Sequence, residues 1–557
     1  MKLVVVGGVA GGLSFAARMR RLDESAEIVV FEKGPYPSFS NCGLPFYVGQ
    51  EIPARESLLL NTPQSLQAKL NLDVRVNHEV IGLDAEAKTV RVRGADGREF
   101  TEGYDKLILS PGAKATRPPI AGLDSLRVRT LRTVNDAQRI VDLAESARSA
   151  LVIGGGFIGI EAAEALARRG INTTIVEGGA HVMPPLDLEM AHLVTGALQS
   201  LNITVIANTR VTQIRDFPAH VLAELSDGQC LETELIVLAA GAIPATEPFV
   251  AAGVRADERG YLEIDQHGRT SLPDVFACGD AVTQQTGVTG MARPVALAGP
   301  TNRAARLIAD FIADPNSARP LPKPISTSIF RVGPMTVAQT GANRAELDAQ
   351  GIAYRTIHTH PTDHGTFLPG AQPMQLMLHF AAADGKLLGA QGIGGNGVDK
   401  RIDVIATALK AGLTAPDLID LDLAYAPPYS AAKDPVNFLG YVAENVLRGR
   451  LKLWYAEEVA HLDPGTPVLD VRPIPEFNAG HLKGARCIPL TELRSRLDEV
   501  RTWVDGKTVY LSDDTGANAW MAQRILESAG INAKVLSGGV NTVFAYYFDN
   551  PGAVLEM

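Results

Sequence analysis

The sequence predicts an α/β chain of several domains, two of which are dinucleotide-binding folds. First, a strand, glycine turn, helix and second strand occur in this order twice, at residues 3–32 and 151–177; this βαβ succession is typical of such folds. Second, 557 residues are too many for one hydrophobic core. Third, residues 453–557 have a strand–helix pattern of their own, which indicates a separate domain.

Composition and charge exclude several classes of protein. The hydrophobic content of 46% and charged content of 20% are those of an ordinary globular protein. A net charge of -10 disfavours nucleic acid or an anionic membrane as partner. The N-terminal apolar run, Leu3 to Val6, is too short for a signal peptide, and no run of 18 apolar residues follows. We therefore expect a cytoplasmic protein.

The first glycine turn predicts an FAD site. It follows strand Leu3–Val6 and precedes a helix over Leu13–Leu22, but Val9 stands where a glycine is usual. Glu32, 20 residues beyond Gly12 (32 − 12), supplies the acid that holds a ribose. A later strand ends at Asp280, whose carboxylate is expected over the sugar-alcohol chain of a flavin or, alternatively, at a helix N-cap. The FAD candidates are Gly7, Gly8, Ala10, Gly11, Gly12, Glu32, Lys33, Asn41, Gly112 and Asp280.

The second turn fits GxGxxG at 154–159, directly after a strand and before a helix. Its glycines let a pyrophosphate approach the unpaired N–H groups of the helix N-terminus. The alternative is a structural turn that binds nothing. Glu177 repels a 2′-phosphate, and Gly178 and Gly179 supply no cation, so NADH is favoured over NADPH. The NADH candidates are Gly154, Gly156, Phe157, Ile158, Gly159, Glu161, Glu177 and Gly241.

Strands 107–109 and 236–238 each run into a glycine-containing turn. We interpret each as the last strand of one nucleotide-binding fold.

The four cysteines, Cys42, Cys230, Cys278 and Cys487, are widely separated. They form no CxxC pair and have no metal-ligand spacing, so we expect no metal, and any reactive thiol acts singly. Cys42 lies between Gly and Pro residues where a helix is expected to start near the flavin. That position predicts a lowered pKa and a reactive thiolate; the alternative is a buried structural cysteine.

The order of these motifs resembles the pyridine nucleotide–disulfide oxidoreductase superfamily. Within it, SFSNCGLP (38–45) is similar to the single-cysteine motif of coenzyme A-disulfide reductases. The last domain resembles rhodanese at LDVR (469–472), EF (476–477), GH (480–481) and LSGG (536–539). The whole chain resembles fusions of these two proteins, some of which are NADH-dependent persulfide or polysulfide reductases.

The resemblance completes the predicted fold class. It implies two Rossmann-like dinucleotide-binding domains, an α+β dimerisation domain and a C-terminal α/β rhodanese-like domain. The expected boundaries are 1–112 with 245–322 for FAD, 113–244 for NAD(P)H, 323–447 for dimerisation and 453–557 for the rhodanese-like part.

The resemblance also implies a mechanism. NADH passes hydride to FAD, and the electrons then reach Cys42, which attacks a coenzyme A-linked disulfide, a persulfide or a polysulfide. Coenzyme A is held near the cysteine, and its candidate contacts are Arg18, Arg21, Ser38 and Phe39. The two arginines are equally consistent with a solvated helix face.

A homodimer is implied, with Tyr425 and Tyr429 of the partner subunit approaching the cysteine. A second family tyrosine is missing, because Phe367 and Leu368 stand in its place and neither has a hydroxyl.

The rhodanese-like domain departs further from its family. Its expected active-site loop, 512–518, contains no cysteine, and the family's position falls near Asp513. We therefore expect no sulfurtransferase activity. Two other interpretations of the protein remain open: an NADH oxidase or peroxidase that cycles Cys42 through a sulfenic acid, and a sulfur-responsive sensor or scaffold.

Overall fold

The computed structural model describes residues 1–557, which divide into two compact units. The first comprises residues 1–180 and 199–326, and the second comprises 181–198 and 327–557. No helix has the length and apolar character needed to cross a membrane.

The first unit begins with a parallel five-stranded sheet. Its strands, in spatial order, are Val275–Ala277, Lys106–Leu109, Lys2–Val6, Glu27–Glu32 and Asp73–Val76. The central strands are nearly continuous apolar runs because both faces of the sheet are covered. The expectation that strand 107–109 is the last of its fold is wrong, because Val275–Ala277 pairs parallel outside it.

The second sheet of this unit repeats the arrangement. Its strands are Ile203–Ile206, Asn172–Val176, Ser149–Ile153, Leu235–Leu238 and Val128–Thr130. Leu235–Leu238, predicted as the last strand of its fold, is confirmed as the last strand of this sheet in chain order. It nevertheless lies inside the sheet, with Val128–Thr130 at the edge. Chain order does not reveal which strand occupies an edge.

Helices flank both sheets. Those of the first unit are Ala10–Leu22, Leu44–Val48, Pro63–Leu70, Val134–Ala144, Phe157–Arg168, Glu247–Val250 and Ala298–Ala313, with 3-10 turns at Asn41–Gly43, Arg55–Leu58 and Gly279–Ala281. Smaller sheets comprise Glu79–Asp84, Thr89–Arg93 and Glu99–Gly103; Val211–Asp216, Val221–Leu225 and Cys230–Thr233; Ala113–Ala115 with Ala242–Pro244; and Leu262–Glu263, Val282–Gln285 and Ala292–Pro294.

Two glycines explain why each helix can follow its strand so tightly. A Cβ on Gly12 would lie 1.9 Å from the carbonyl oxygen of Gly7, and a Cβ on Gly159 would lie 1.9 Å from that of Gly154. Any larger residue would push the helix off the strand. The same constraint therefore shapes both turns.

The second unit contains an antiparallel sheet. Its order is Ser328–Val332, Met335–Gly341, Leu387–Gly394, Met374–Ala381 and Tyr354–Thr359. The helices here are Leu188–Ser200, whose residues after 198 belong to the first unit, and Arg344–Ala349, Val398–Ala411 and Pro435–Leu447, with a 3-10 turn at Pro416–Asp420.

The unit ends in a parallel sheet ordered Leu453–Trp454, Ala533–Leu536, Val509–Ser512, Val468–Asp470 and Arg486–Cys487. Its helices are Ile474–Asn478, Leu490–Leu493, Leu497–Val504, Ala517–Ser528 and Gly539–Tyr546, with 3-10 turns at Ala456–His461, Arg494–Arg496 and Pro551–Ala553. Strands His481–Leu482 and Leu555–Glu556 form a separate pair.

A buried ionic cluster ties the two sheets of the second unit together. Glu189 accepts a hydrogen bond from Arg344 at 2.9 Å and lies 2.8 Å from His358 Nε2. The other ring nitrogen of His358 lies 2.9 Å from the Ser537 hydroxyl. Burial opposes ionisation of Glu189, but the charge of Arg344 and the bond to His358 hold its pKa below the usual range.

Candidate active site

Cys42 is an exposed thiol in the 3-10 turn Asn41–Gly43, directly before helix Leu44–Val48. Pro45 lies in the first turn of that helix, where its missing N–H has no cost. A Cβ on Gly43 would lie 2.9 Å from the Leu58 side chain, so the turn is closely packed at this position. The turn aims the thiol outward while its flanks are packed.

The helix after Cys42 is held by the second nucleotide-binding fold. The Tyr47 hydroxyl donates to Gln138 Oε1 at 2.6 Å, and Arg169 donates to the Val48 carbonyl at 3.2 Å. A Cβ on Gly49 would lie 3.2 Å from the Ala165 Cα. The cysteine segment thus leaves the first fold and packs against helices of the second.

The charges around Cys42 do not favour its thiolate. Burial raises the pKa of Cys42, and the carboxylates of Glu161 and Asp280 raise it further. The expectation of a lowered pKa is therefore wrong for the chain's own environment. Two negative groups near the sulfur outweigh the short helix that follows it.

At the first glycine turn, the Glu32 carboxylate is hydrogen-bonded to the backbone of the turn. Its carboxylate accepts hydrogen bonds from the N–H groups of Gly8 and Gly34, both at 2.7 Å. The helix that follows begins without a side-chain cap, so its first N–H groups can face an anion. Ser38 is linked to this turn, since its N–H donates to the Gly8 carbonyl at 2.9 Å. The cysteine segment therefore starts at the turn itself.

Asp280 meets an arginine that the sequence pattern did not reveal. Arg132 donates to Asp280 at 3.0 Å, and its guanidinium would lie 3.1 Å from a Cβ on Gly112. Two buried oxygens of the same unit, Asn41 Oδ1 and Thr301 Oγ1, have no hydrogen-bond partner within the chain. Convergent polar groups and unpaired buried oxygens fit a bound flavin nucleotide.

The second glycine turn has the same arrangement of hydrogen bonds to a carboxylate. Glu177 accepts from the N–H groups of Gly155 and Gly179, both at 2.6 Å. A Cβ on Gly156 would meet no atom within 4 Å, so this glycine opens onto free space above an uncapped helix. Such a surface can receive a pyrophosphate. The helix also carries Glu161, and Ile158 is exposed at its first turn.

Of the two arginines predicted to contact coenzyme A, one is in an ion pair and the other is exposed. Arg18 forms a 2.6 Å ion pair with Asp310, whereas Arg21 is exposed and donates to the carbonyl of Ala17. Ser38 has a left-handed backbone, with φ of 54°, and Phe39 forms a β-bridge with Leu59.

The two candidate tyrosines lie in the second unit and are exposed. Tyr425 is 49% and Tyr429 73% accessible, and Phe367 is 74% accessible. Their segment is anchored just beyond Tyr429, where Ser430 and Arg401 donate to the buried carboxylate of Asp434. Aromatic side chains are thus held outward on a fixed backbone.

The loop of the C-terminal domain is filled by its own carboxylate. Buried Asp513 accepts from the N–H groups of Gly516 at 2.5 Å and Asn518 at 2.8 Å. Burial raises the pKa of Asp513. Arg472 binds Asp470 at 2.7 Å and Asp514 at 3.1 Å. The sequence showed that the loop lacks a cysteine; the structure adds that two of the loop's N–H groups are already used.

The other three thiols differ in their exposure. Cys278 is fully buried, and burial raises its pKa to about 12. Cys487 is partly exposed on strand Arg486–Cys487, with its sulfur 3.5 Å from the Arg472 carbonyl. Cys230 is exposed at the start of strand Cys230–Thr233.

Two dinucleotide-type folds with one exposed cysteine packed against both define a class of protein, the two-nucleotide oxidoreductases. Residues 1–298 match the model of the pyridine nucleotide-disulphide oxidoreductases, 327–435 match the dimerisation domain of these enzymes, and 454–545 match the rhodanese-like domain. The chain belongs to the pyridine nucleotide-disulphide oxidoreductase family and is an oxidoreductase. These matches confirm the predicted family and fold class.

Individual relatives agree. The coenzyme A disulfide reductase of Staphylococcus haemolyticus is 33% identical over 448 residues, which are 80% of this chain and all of that protein. The structure of reduced CoADR-RHD of Bacillus anthracis is 39% identical, with a TM-score of 0.96 over 100% of this chain and 99% of that one.

Two further structures are similar. An NAD-dependent persulfide reductase from A. fulgidus is 34% identical with a TM-score of 0.91, and the match covers 97% of this chain and 100% of that one. A water-forming NADH oxidase from Lactobacillus brevis is 26% identical with a TM-score of 0.78, over 81% of this chain and 99% of that one.

Proposed function

We propose that this enzyme uses NADH, FAD and the single cysteine Cys42 to reduce a coenzyme A-linked disulfide, a persulfide or a polysulfide. The observation that carries the proposal is the place of Cys42. It is an exposed thiol on a turn that starts at one nucleotide-type fold and is held by Gln138 and Arg169 of the other. The named activities of the relatives support it.

The chain's residues prepare both nucleotide sites. Glu32 and Glu177 would bind ribose hydroxyls, and the uncapped helix ends would face the pyrophosphates. Arg132 and Asp280 would orient the flavin's polar chain. FAD, when bound, accepts a hydride from the nicotinamide and passes two electrons on to sulfur.

Cys42 performs the sulfur chemistry. Its thiolate attacks one sulfur of the substrate, a new S–S bond forms on Cys42, and the old S–S bond breaks. The leaving thiolate or hydrosulfide takes a proton from water or from a phenol. Two electrons then cleave the new bond, which returns the Cys42 thiolate and releases the second product as a thiol. One NADH is consumed for each bond broken.

We further propose a homodimer, in which Tyr425 and Tyr429 of one subunit serve the cysteine of the other. Their exposure and the match to a dimerisation domain support this. A phenol near the sulfur would donate a hydrogen bond to the departing thiolate. Phe367 offers no such donor, so its contribution would be apolar contact with the substrate.

The test is NADH consumption under anaerobic conditions with coenzyme A disulfide, a coenzyme A persulfide and a polysulfide as separate substrates. We expect turnover with at least one of them and its loss in Cys42→Ser. Cys230→Ser, which removes another exposed thiol, is the matched control. Unchanged turnover in Cys42→Ser with every sulfur substrate would refute the proposal.

An NADH oxidase or peroxidase is the second candidate. The similarity to a water-forming NADH oxidase and the solvent exposure of Cys42 favour it. In this case peroxide, either added or formed when oxygen takes two electrons from NADH through the flavin, gives one oxygen atom to the Cys42 thiolate and leaves as water. Cys42 becomes a sulfenic acid, which two more electrons from NADH return to the thiolate with release of water. Rapid NADH consumption with oxygen or peroxide, and none with sulfur substrates, would select this function over the first.

We propose no sulfur transfer by the C-terminal domain. Asp513 occupies the N–H groups that would stabilise a persulfide, and the loop has no nucleophilic sulfur. Thiosulfate sulfurtransferase activity of the intact enzyme that survives Cys42→Ser would contradict this.

A further inference from the structure

We infer that Arg210 forms a binding site for the 2′-phosphate of NADPH, so that the enzyme accepts NADPH beside NADH. The inference rests on the proposed nicotinamide site and names a residue that determines its specificity. Arg210 is 33 residues beyond Glu177 in the chain (210 − 177), and no motif or spacing links the two residues.

The backbone brings Arg210 to the rim of the site. The N–H of Thr209 donates to the Glu177 carbonyl at 3.0 Å, and that of Asn208 donates to the Gly179 carbonyl at 2.8 Å. Arg210 and Ser226 are joined by two more hydrogen bonds, at 2.8 and 3.0 Å. The Arg210 backbone is therefore fixed beside the segment that carries the ribose acid.

Its side chain fills the space that Gly178 leaves. A Cβ on Gly178 would lie 3.1 Å from Arg210 Nε and 3.2 Å from its Cγ. Arg210 thus occupies the position of a side chain at 178, the residue directly after Glu177. Because Arg210 is exposed and has no ion pair with any carboxylate, its guanidinium donors remain available. A guanidinium binds phosphate in bidentate fashion, and an arginine close to the ribose acid accommodates a 2′-phosphate.

The other nucleotide fold of the chain provides an internal comparison. There, His78 donates to the Glu32 carbonyl and Asn77 to the Gly34 carbonyl, both at 3.0 Å, so the hydrogen bonds repeat in register. By this register, the positions of Gly178 and Arg210 are taken by Lys33 and Glu79. That pair has no net charge, whereas Gly178 and Arg210 give the rim one positive charge. FAD has no 2′-phosphate. Of the two rims, the one with the additional positive charge is therefore that of the nicotinamide site, where the nucleotide can have a 2′-phosphate.

The direct test is calorimetric binding to the flavin-loaded enzyme of adenosine 2′,5′-bisphosphate and of AMP, which differ only in the 2′-phosphate. We expect Arg210→Gln to lower the affinity for the bisphosphate by about tenfold or more and to change the affinity for AMP much less. Arg148→Gln is the matched control, because this exposed arginine directly precedes the central strand Ser149–Ile153, whereas Arg210 follows the carboxyl end of a strand of the same parallel sheet. The control should retain both affinities.

Steady-state kinetics provide the second readout. The ratio of kcat/KM for NADPH to that for NADH should fall by about tenfold in Arg210→Gln, through KM rather than kcat. Equal losses for both nucleotides would mean that Arg210 contacts the adenine, and no loss would mean that it contacts neither; each overturns the inference. If neither nucleotide reduces the flavin, the proposed function fails, yet the calorimetric comparison still decides the role of Arg210.

Discussion

Replacing Glu189 by Gln removes the anion from a buried cluster that joins the two sheets of the second unit. Its side chain is 3% exposed, and those of Arg344 and His358 are 18% and 6% exposed. The substitution keeps the size of the side chain but leaves the Arg344 charge without its carboxylate. Breaking a buried pair in this way costs about 3–5 kcal/mol. Because Arg344 retains some contact with water, we expect the lower end, about 3 kcal/mol.

The assay is scanning calorimetry of the full-length enzyme. For a folding unit of roughly 250 residues, about 3 kcal/mol corresponds to a decrease in Tm of about 6–12 °C. Glu444→Gln is the control, since it breaks an ion pair with the exposed Arg448 on helix Pro435–Leu447. Exposed pairs contribute about 0.5 kcal/mol or less, so the control Tm should hardly change. Equal Tm values for the two variants would refute the reasoning.

The dependence on pH follows from the same cluster. The pKa of Glu189 lies below its ordinary value of 4.5 in the folded protein. Its contribution to stability is therefore complete above pH 4.5 and is lost as the pH falls through the folded-state pKa. The difference in Tm between the wild type and Glu189→Gln should shrink as the pH is lowered below 4.5. A difference that grows on acidification would contradict the assignment.

Three further predictions concern the sites. Glu161→Gln should lower the pKa of Cys42, because the Glu161 carboxylate raises that pKa. The pKa is measured as the midpoint of the alkylation rate of Cys42 against pH, and an unchanged or higher midpoint would contradict the prediction. Asp513→Cys should create thiosulfate sulfurtransferase activity, because it frees two loop N–H groups and adds a thiol, whereas Asp513→Ala should not. Gly159→Ala should lower the Tm, since its Cβ would lie 1.9 Å from a carbonyl oxygen and overpacking costs about 1–3 kcal/mol. Gly156→Ala, whose Cβ would lie in open space, should keep the Tm and weaken only NADH binding. Scanning calorimetry and an NADH titration compare the Gly159 and Gly156 variants, and an equal loss of Tm in both would contradict the prediction.

Local patterns in the sequence predicted much of the fold. The apolar strand, the glycine turn and the acid about 20 residues further on lie within one βαβ unit, so their spacing reflects local geometry. Glu32 and Glu177 accordingly meet the N–H groups of their own turns. Cys42 also lies where the Gly and Pro residues around it predict a helix start.

The tertiary structure alone decided the contacts between distant segments. Arg132 and Asp280 are 148 residues apart in the chain, and neither has a periodic or spaced partner that would reveal the pairing. The edge strands were likewise hidden, because a sheet can be extended by any later segment of the chain. The direction of the pKa shift of Cys42 was hidden as well, because burial raises that pKa and two distant carboxylates, Glu161 and Asp280, raise it further.

By itself, then, the sequence determined the two nucleotide-binding folds and the acids of their turns, and it predicted Cys42 as the reactive thiol, because each depends on residues close together in the chain. Only the tertiary structure decided that Asp513 fills the loop of the last domain and that Arg210 lies against Gly178. The first depends on how a loop closes on its own N–H groups, and the second on which strands become neighbours. Neither has a period or a spacing that a sequence pattern can express.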